Sequence, residues 1–291
     1  MVVATGVKVL DRAKKQRSSL NKKARQVSAW DIVKISRHPQ RPILQDYIQR
    51  VFTNFVELHG DRAFGDDTAI IGGFAQIGNQ KVMLIGHNKG KNTTEHIERN
   101  FGMAKPEGYR KALRLMKLAQ RFNLPIITII DTPGAFPGLE AEERGQAESI
   151  ARNITEMANI EVPIISMVIG EGGSGGALGI GVGDRILMLS NAIYSVISPE
   201  GCASILWRDA KFAPDAAEAL KITAHALLKN DIIDEIIEEP AEGAHADYEK
   251  IAADVKRSLI RNLRSLSDIS VYELLEQRFE KYAAMGKFAV D

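Results

Sequence analysis

Cysteine is nearly absent from this sequence, which has only Cys202 among its 291 residues. A lone thiol excludes a disulfide framework and a cysteine-rich zinc site built by this chain alone, because both need several cysteines. Such sparse cysteine is typical of proteins from a reducing compartment. We therefore expect a cytoplasmic protein with no metal of its own.

Long apolar runs and an excess of one charge are also lacking. No run approaches the roughly 20 apolar residues that span a bilayer, and 38 Lys and Arg nearly balance 37 Asp and Glu. Neither a membrane nor nucleic acid is expected as a partner. Segment 1–27 departs from this balance, with eight Lys and Arg and one acid, Asp11. It is typical of a solvated arm or of a transit peptide, which would place the protein in a plastid.

Strand-like apolar runs alternate with helical patterns through the middle of the chain. Four runs each end in a polar, glycine-containing loop, namely VMLIG before HNKG, IITIID before TPG, IISMVI before GEGG and IYSVI before SPEG. Helical patterns lie at about 106–123 and 139–159, and an amphipathic helix is predicted over 46–58. Uniformly apolar runs favour strands buried on both faces of an α/β sheet, with the loops gathered at the strand carboxyl ends.

The C-terminal part is predicted to contain a helix and the run IIDEII within 214–237, followed by two helical patterns from about 246 to 284. The stretch EEPAEG at 238–243 is the expected boundary before these last helices. The predicted organisation is a basic arm at 1–29, a core at 30–240 and a helical tail at 241–291.

The densest glycine segment is GEGGSGGALGIGVG at 170–183, with eight glycines directly after the apolar run 162–169. A glycine N–H can approach a ligand closely because no Cβ stands in the way. A strand-to-helix turn of this kind collects several N–H groups at a helix N-terminus. The segment is therefore predicted to form a cradle for an anion or an oxyanion.

Two segments resemble parts of nucleotide-binding motifs, but in each case a second residue or loop that the motif requires is missing. Residues 170–175 fit G-x-G-x-x-G, but no Asp or Glu lies between 185 and 199 to bind a dinucleotide ribose. The DTPG at 131–134 resembles the end of a GTPase strand, but the chain has no G-x-x-x-x-G-K-[ST] loop to hold phosphates.

A serine hydrolase is a competing interpretation of the same glycine segment. Residues 172–176 fit G-x-S-x-G, the nucleophile elbow, with Ser174 at its centre. Asp209 or Asp215, followed by His225, would complete the chain order of that class. A serine between glycines is equally typical of a helix N-cap, so the alternative stays open.

Four cations on the predicted helix 106–123 share one face, because their spacings are 4, 3 and 4 residues: Arg110, Arg114, Lys117 and Arg121. They are candidates for meeting the phosphates of CoA or an acidic carrier protein. A solvated helix face is the simpler interpretation.

Several long strings occur together in one order: GYRKALRLMKLA, DTPGAFPG, EERGQAESIARN, GEGGSGGALGIGVGD and YSVISPEGCASILW. With HPQRP and GDRAFGDD they resemble the carboxyltransferase α-subunit family of bacterial and plastid acetyl-CoA carboxylases. The similarity runs from about Trp30 to the end of the chain, and segment 1–27 departs from it. Strings of this length are far more specific than a lone glycine motif.

The resemblance implies a crotonase-like (ClpP/crotonase) fold, a spiral of ββα units. It implies transfer of a carboxyl group from carboxybiotin, on biotin carboxyl carrier protein, to acetyl-CoA, which gives malonyl-CoA in the first committed step of fatty acid biosynthesis. It also implies an α2β2 assembly with a zinc-ribbon β subunit. ATP would be used by the partner biotin carboxylase, and this chain shows no ATP site.

In this reading the α subunit supplies an oxyanion hole of backbone donors for the biotin oxygen. The candidate catalytic positions are Gly175, Gly176 and Ala177. The candidate substrate-binding positions are Gly134, Ala135, Gly172, Gly173 and Glu200. A bulky residue such as valine at Gly176 is expected to damage catalysis without unfolding the protein.

Glu200 lies in SPEG, a Pro-Glu pair also seen in crotonase-type hydratases, where a glutamate acts as acid and base. This favours a lone acyl-CoA hydratase as an alternative, although an acid after Pro199 is also typical of a helix start. A non-catalytic scaffold is a third alternative. It is disfavoured because glycines destabilise regular structure by about 0.5–1 kcal/mol each.

Overall fold

The computed structural model describes residues 27–286. The predicted basic segment 1–27 lies outside this range, apart from Val27. Within it, one sheet contains the strands β1 Thr53–Glu57, β2 Ile70–Ile77, β3 Gln80–His87, β4 Ile126–Thr132, β5 Ile164–Gly173, β6 Arg185–Leu189, β7 Ile193–Ser195 and β8 Glu235–Ile237.

The α-helices of the described chain surround this sheet. They are α1 Ala29–Ser36, α2 Leu44–Val51, α3 Thr93–Glu98, α4 Pro106–Arg121, α5 Leu139–Glu143, α6 Gln146–Ala158, α7 Ser174–Leu178, α8 Pro199–Trp207, α9 Ala213–Leu220, α10 Ala224–Lys229, α11 Tyr248–Ser267 and α12 Val271–Ala283. Short 3-10 turns occupy Asn100–Gly102, Ala210–Phe212 and Ala244–Ala246.

The strand order is β1-β2-β3-β4-β5-β6-β8, and β7 pairs with the end of β5. The first three strands pair antiparallel, whereas β3, β4, β5, β6 and β8 run parallel. Because β3, β4 and β5 are parallel neighbours, the loops that follow them lie together at one edge of the sheet. That edge carries both glycine-containing loops singled out in the sequence.

The central strands are buried on both faces, as their uniformly apolar runs predicted. Every residue of β4 is buried, and so is every residue of β5 except Gly173. Helix α4 packs against β2, β3 and α6, and helix α11 packs against α2, β5 and β8. Leu259 of α11 belongs to the same hydrophobic cluster as Met167 of β5. The division into a core at 30–240 and a tail at 241–291 stays a prediction.

Several predicted elements differ from the structure. The helix predicted over 46–58 is wrong beyond Val51. The backbone is extended at Phe52, and the next five residues form the edge strand β1. Asn54 has a positive φ of 52°, which a continuous helix does not tolerate. The pattern at 139–159 is two helices, divided at Gly145 with φ 82°. Strands β2 and β6 were not predicted.

Candidate functional site

Two loops meet at the carboxyl ends of β4 and β5, one at 133–138 and the other at 172–176. A Cβ added to Gly173 would lie 2.1 Å from the carbonyl oxygen of Pro133, and one added to Gly176 would lie 2.4 Å from the carbonyl carbon of Gly134. The loops therefore touch backbone to backbone. Glycine is required at these two positions because any side chain would push the loops apart.

This contact overturns the expectation for a valine at Gly176. The substitution was expected to spare the fold, but its Cβ would overlap the backbone of Gly134 and Ala135. Gly172 is similarly confined, since its Cβ would lie 2.7 Å from the ring of Tyr194. Ala177 is fully buried in α7. A larger side chain at Gly172, Gly176 or Ala177 would therefore disturb packing first, so a loss of activity in such a variant would not by itself identify a catalytic role.

Gly175 and Gly134 have room around them. Among the residues that the structure describes, a Cβ on Gly175 would meet only Ile150, at 3.7 Å, and one on Gly134 would meet nothing within 4 Å. Among residues 27–286, no acceptor takes a hydrogen bond from the N–H of Gly175 or Gly176, as expected in the first turn of a helix. The N–H of Gly134 is already bonded to the hydroxyl of Thr132, at 3.2 Å.

Buried polar contacts hold the first loop on its other side. The N–H of Phe136 donates to the carbonyl of Ala104 (3.0 Å), and the Gln146 amide donates to the carbonyls of both Ala104 (2.8 Å) and Phe136 (3.0 Å). Ala135 is half-buried and packs against the main hydrophobic cluster. The loop thus presents a fixed backbone surface to the glycines of α7.

An apolar pocket of about 290 Å³ lies beside Gly175. Its walls include Ser174, Leu178, Tyr194, Val196 and Tyr282. Burial raises the pKa of the Tyr194 phenol to about 12, so this ring stays neutral at physiological pH. The pocket is suited to an uncharged ring or chain placed next to the free N–H groups of α7.

A charged cluster lies beneath the two loops. Lys89 Nζ is 2.7 Å from Oδ1 of Asp131 and 3.2 Å from Oε1 of Glu171. Burial alone would lower the pKa of Lys89, but the two carboxylates outweigh it and hold that pKa above its ordinary value. Burial raises the pKa of Glu171, and the charges of Lys89 and Arg37 overcome this and lower it. Lys89 and Glu171 therefore stay ionised at neutral pH.

Sequence reasoning missed this cluster, although a signal was present. Asp131 ends one apolar run, Glu171 follows the run 164–169 by two residues, and Lys89 follows the run 82–86 by three. Since parallel strands end at a common edge, charges at those ends are expected to converge. Ion pairs between Lys89 and the two acids could have been inferred from the positions of these residues in the sequence.

Glu200 lies in the first turn of α8, where Ser198 caps the helix through the N–H of Gly201 at 3.1 Å. Its carboxylate accepts a hydrogen bond from Nη1 of Arg37 at 2.5 Å, and Nε of Arg37 bonds Glu171 at 2.8 Å. Glu200 is thus a helix-start acid tied to the charged cluster. Its contact with a substrate stays a prediction.

Ser174 has the local geometry of an elbow but lacks the partners of a nucleophile. It joins β5 to α7 with φ 49°, and it is exposed. Within 27–286, its hydroxyl has no hydrogen bond to a histidine or a carboxylate. His225 is on α10 with its side chain 69% exposed, and its nearest acid is Glu238 at 3.9 Å.

The predicted cationic helix face is mostly engaged within the chain. Arg110 Nε pairs with Asp61 at 2.8 Å, and Lys117 pairs with Glu156. Arg114 donates to the backbone carbonyls of Gly60 and His59. Three of the four cations thus brace neighbouring segments, which disfavours a continuous phosphate-binding stripe.

In the part of the chain that the structure describes, no cluster of three or more His, Cys, Asp or Glu is arranged to hold a metal ion. Across the same residues, no helix combines the length and apolar character needed to cross a membrane.

A family model described as "Acetyl co-enzyme A carboxylase carboxyltransferase-like" matches residues 3–286. The chain belongs to this family. A relative from Geobacter metallireducens is 58% identical over 263 residues, covering 90% of this chain and 83% of that protein. One from Nitrosospira multiformis is 55% identical over 286 residues, covering 98% and 89%. Both are named acetyl-coenzyme A carboxylase carboxyl transferase subunit alpha.

Solved carboxyltransferase structures share the fold at low sequence identity. Transcarboxylase 12S, with methylmalonyl-coenzyme A and methylmalonic acid bound, has a TM-score of 0.64 and 18% identity over 78% of this chain and 42% of that chain. A Pseudomonas malonate decarboxylase hetero-tetramer in complex with coenzyme A has a TM-score of 0.61 and 14% identity, covering 76% and 89%. The crotonase-like fold is confirmed, as is membership of the α-subunit family.

Proposed function

We propose that this chain carries the carboxybiotin side of carboxyl transfer to acetyl-CoA, as the α subunit of the carboxyltransferase in acetyl-CoA carboxylase. The observation that carries the proposal is the pair of N–H groups at Gly175 and Gly176, which have no acceptor among residues 27–286 and lie beside a loop held in backbone contact. Family membership supplies the reaction class. Carboxybiotin, when bound, supplies the carboxyl group.

The residues present fit a cyclic urea that gains negative charge. Backbone N–H groups fixed at a helix start are preorganised donors, and removing one such donor typically costs about 10²–10³ in rate. The absent Cβ at Gly175 leaves space next to its N–H, and the pocket beside it is apolar. We assign the oxyanion donors to Gly175 with Gly176, and the ring-binding surface to the pocket wall formed by Leu178, Tyr194 and Val196.

Because these donors are backbone groups, they do not titrate in the physiological range. The chain holds them in place through the loop contacts at Gly173 and Gly176, and the apolar pocket reduces access of water to the developing charge. No side-chain nucleophile is assigned to this half of the site. This agrees with the absence, within 27–286, of a histidine bonded to Ser174.

A β subunit is the implied partner, since the relatives are named as α subunits. We propose that it contributes the acetyl-CoA side of the site and carries a zinc ribbon, in an α2β2 complex. Biotin carboxyl carrier protein would deliver carboxybiotin, and biotin carboxylase would consume ATP. A cytoplasmic location belongs to the same proposal.

The alternative activities have direct tests. If a lone hydratase were correct, the purified chain would hydrate crotonyl-CoA, and a Glu200→Gln variant would not. If the serine hydrolase were correct, a generic fluorophosphonate probe would label Ser174 in the purified chain. We expect neither result, because Glu200 is paired with Arg37 and Ser174 has no base within the described residues.

The proposed function is tested by malonyl-CoA-dependent carboxylation of free biotin, measured on the assembled α and β subunits. We expect transfer in the mixture and none with this chain alone. Absence of transfer in a complex verified by sedimentation would contradict the proposal.

A further inference from the structure

Lys89 is a largely buried cation at the point where β3, β4 and β5 end. It follows β3 by two residues, and its ammonium group bridges the carboxylates of Asp131 on β4 and Glu171 on β5. Those two acids stand directly before the loops that contact each other. The Lys89 side chain thus connects the ends of β4 and β5, from which loops 133–138 and 172–176 begin.

The two carboxylates are themselves fixed to the backbone that leads into the loops. Oδ1 of Asp131 accepts a hydrogen bond from the N–H of Glu171 at 3.0 Å. A Cβ added to Gly170 would lie 2.4 Å from that same oxygen, so β5 passes directly against the Asp131 carboxylate. A shift of either acid would therefore move the start of a loop.

The Lys89 stem is confined as well. A Cβ added to Gly102, which has φ 79°, would lie 2.8 Å from Cγ of Lys89 and 3.0 Å from the carbonyl oxygen of Asp131. The turn around Gly102 therefore packs on the lysine and on the end of β4 together. The lysine stem is thus confined by backbone packing while its ammonium group lies between the two acids.

The cluster extends outward through Arg37, which binds Glu171 with Nε and Glu200 with Nη1. This connects the end of α1 and the first turn of α8 to the same carboxylate that Lys89 holds. Removing Lys89 would take from Asp131 the cation that it pairs with, leaving the more distant charge of buried Arg41, and would leave Glu171 paired with Arg37. An uncompensated buried charge is costly, so the strand ends are expected to rearrange.

We propose that Lys89 is a positioning residue for carboxyl transfer: through Asp131 and Glu171 it sets the spacing between loop 133–138 and loop 172–176, and so places the N–H groups of Gly175 and Gly176. This rests on the proposed function for its catalytic consequence. The structural consequence, the fixed spacing of the loops, stands independently of it.

The test compares Lys89→Met and Lys89→Arg with Lys111→Met in the assembled α and β subunits. Lys111 serves as the control because it is also a paired lysine, bonded to Asp66 and to the carbonyl of Asp67, and its side chain is 1% exposed against 16% for Lys89. It braces α4 against segment 60–67 and not the two loops. We expect K89M to lower kcat for biotin carboxylation by about 10- to 100-fold while the KM for malonyl-CoA changes less than about threefold, since small displacements of preorganised donors act on kcat.

We expect K89R to recover most of the lost kcat, because a guanidinium can bridge the same two acids. K111M should lower thermal stability yet retain kcat. Equal kcat losses in K89M and K111M, or no rescue by K89R, would overturn the inference. If K89M does not fold, Glu171→Gln takes its place, since it weakens the same bridge without changing shape.

Hydrogen exchange on the same complexes separates this inference from the proposed function. We expect faster amide exchange in both 133–138 and 172–177 in K89M, and unchanged exchange there in K111M. Unchanged exchange of both loops in K89M would overturn the inference whatever the activity. Absence of transfer in the wild-type complex would count against the proposed function alone.

Discussion

At the residue scale, the glycines of the two loops divide by what surrounds them. Gly173 and Gly176 are in backbone contact with the opposite loop, whereas Gly134 and Gly175 have space for a methyl group. The first pair maintains loop packing and the second pair borders the region assigned to substrate. Glycine therefore allows close backbone packing at some positions of these loops and leaves open space next to the candidate site at others.

Gly175→Ala is predicted to reduce carboxyl transfer without loss of stability, because its methyl group enters the space beside the oxyanion donors. We expect a loss of at least about tenfold in the rate of the assembled complex. Gly65→Ala is the control, since among residues 27–286 a Cβ there meets nothing within 4 Å, and Gly65 lies outside both loops. A G175A complex with wild-type activity would contradict the donor assignment.

Gly176→Ala is predicted to lose stability first. Its methyl group would overlap the backbone of Gly134, and inserting atoms into a packed contact typically costs about 1–3 kcal/mol. Urea denaturation of G176A beside G175A measures the difference directly. Equal stability of the two variants would show that the loops are not in tight contact.

His87 is predicted to make the protein less stable in mild acid. Its ring is fully buried, and burial, with the charge of Lys89, outweighs the opposite effect of the Gly176 backbone and lowers its pKa to about 3. Between its unfolded pKa near 6.5 and about 3, only the unfolded chain binds the proton, so the free energy of unfolding falls as pH falls.

His87→Gln isolates this effect because glutamine does not titrate. The wild-type stability curve should fall below pH 6.5 relative to H87Q, with a slope approaching about 1.4 kcal/mol per pH unit. His225→Gln, at a side chain 69% exposed, should give a curve parallel to wild type. Parallel curves for H87Q and wild type would show that the His87 pKa is not depressed.

At the scale of elements, a buried arginine joins the C-terminal helix α12 to the core of the molecule. Arg278 bonds both carboxylate oxygens of Asp184, at 2.7 and 2.8 Å. It also donates to three backbone carbonyls in the segment from α6 to β5, those of Met157, Ile160 and Val162. The guanidinium thus joins α12 to the end of α6 and to the segment before β5.

Arg278→Met is predicted to lower the free energy of unfolding by about 3–5 kcal/mol, since it leaves Asp184 buried without a counter-charge. Arg257→Met, at an exposed pair on α11, should change stability by less than about 0.5 kcal/mol. Urea denaturation followed by circular dichroism compares them. Similar midpoints would contradict a stabilising role for Arg278.

The prediction of elements from sequence succeeded where burial dominates. The apolar runs ending at Gly86, Asp131 and Ile169 are strands because only a fully buried sheet accommodates them. Residues 53–57 were assigned to a helix because Phe52, Phe55 and Val56 have helical spacing. Pairing with β2 decides their structure instead, and a non-local contact of this kind leaves no signal in a single sequence.

The candidate site was predicted in part. The glycine segment and the DTPG loop were both singled out, and their proximity follows from parallel strand order. That Gly173 and Gly176 contact the opposite backbone depends on distances of a few ångströms, which no spacing pattern encodes. The charged cluster at Lys89 was visible as strand-end charges but was not assigned.

At the scale of the whole molecule, we assign to this chain half of a shared site. Backbone donors, an apolar pocket and a charged cluster converge at one edge of the sheet, and the acyl-CoA side is assigned to the β subunit. A chain of this kind is expected to bind its partner before any transfer occurs. The same edge of the sheet should therefore become protected from hydrogen exchange when the β subunit is added.

The measurement that tests this account most directly is malonyl-CoA-dependent carboxylation of free biotin by this chain, by the β subunit, and by the two together. We predict that carboxyl transfer occurs when the two subunits are mixed and with neither subunit by itself. The rate of transfer should be at least about tenfold lower in the complex that contains G175A. Transfer by this chain without a partner, or no transfer in a verified complex, would contradict the central claim that it provides half of a shared carboxyltransferase site.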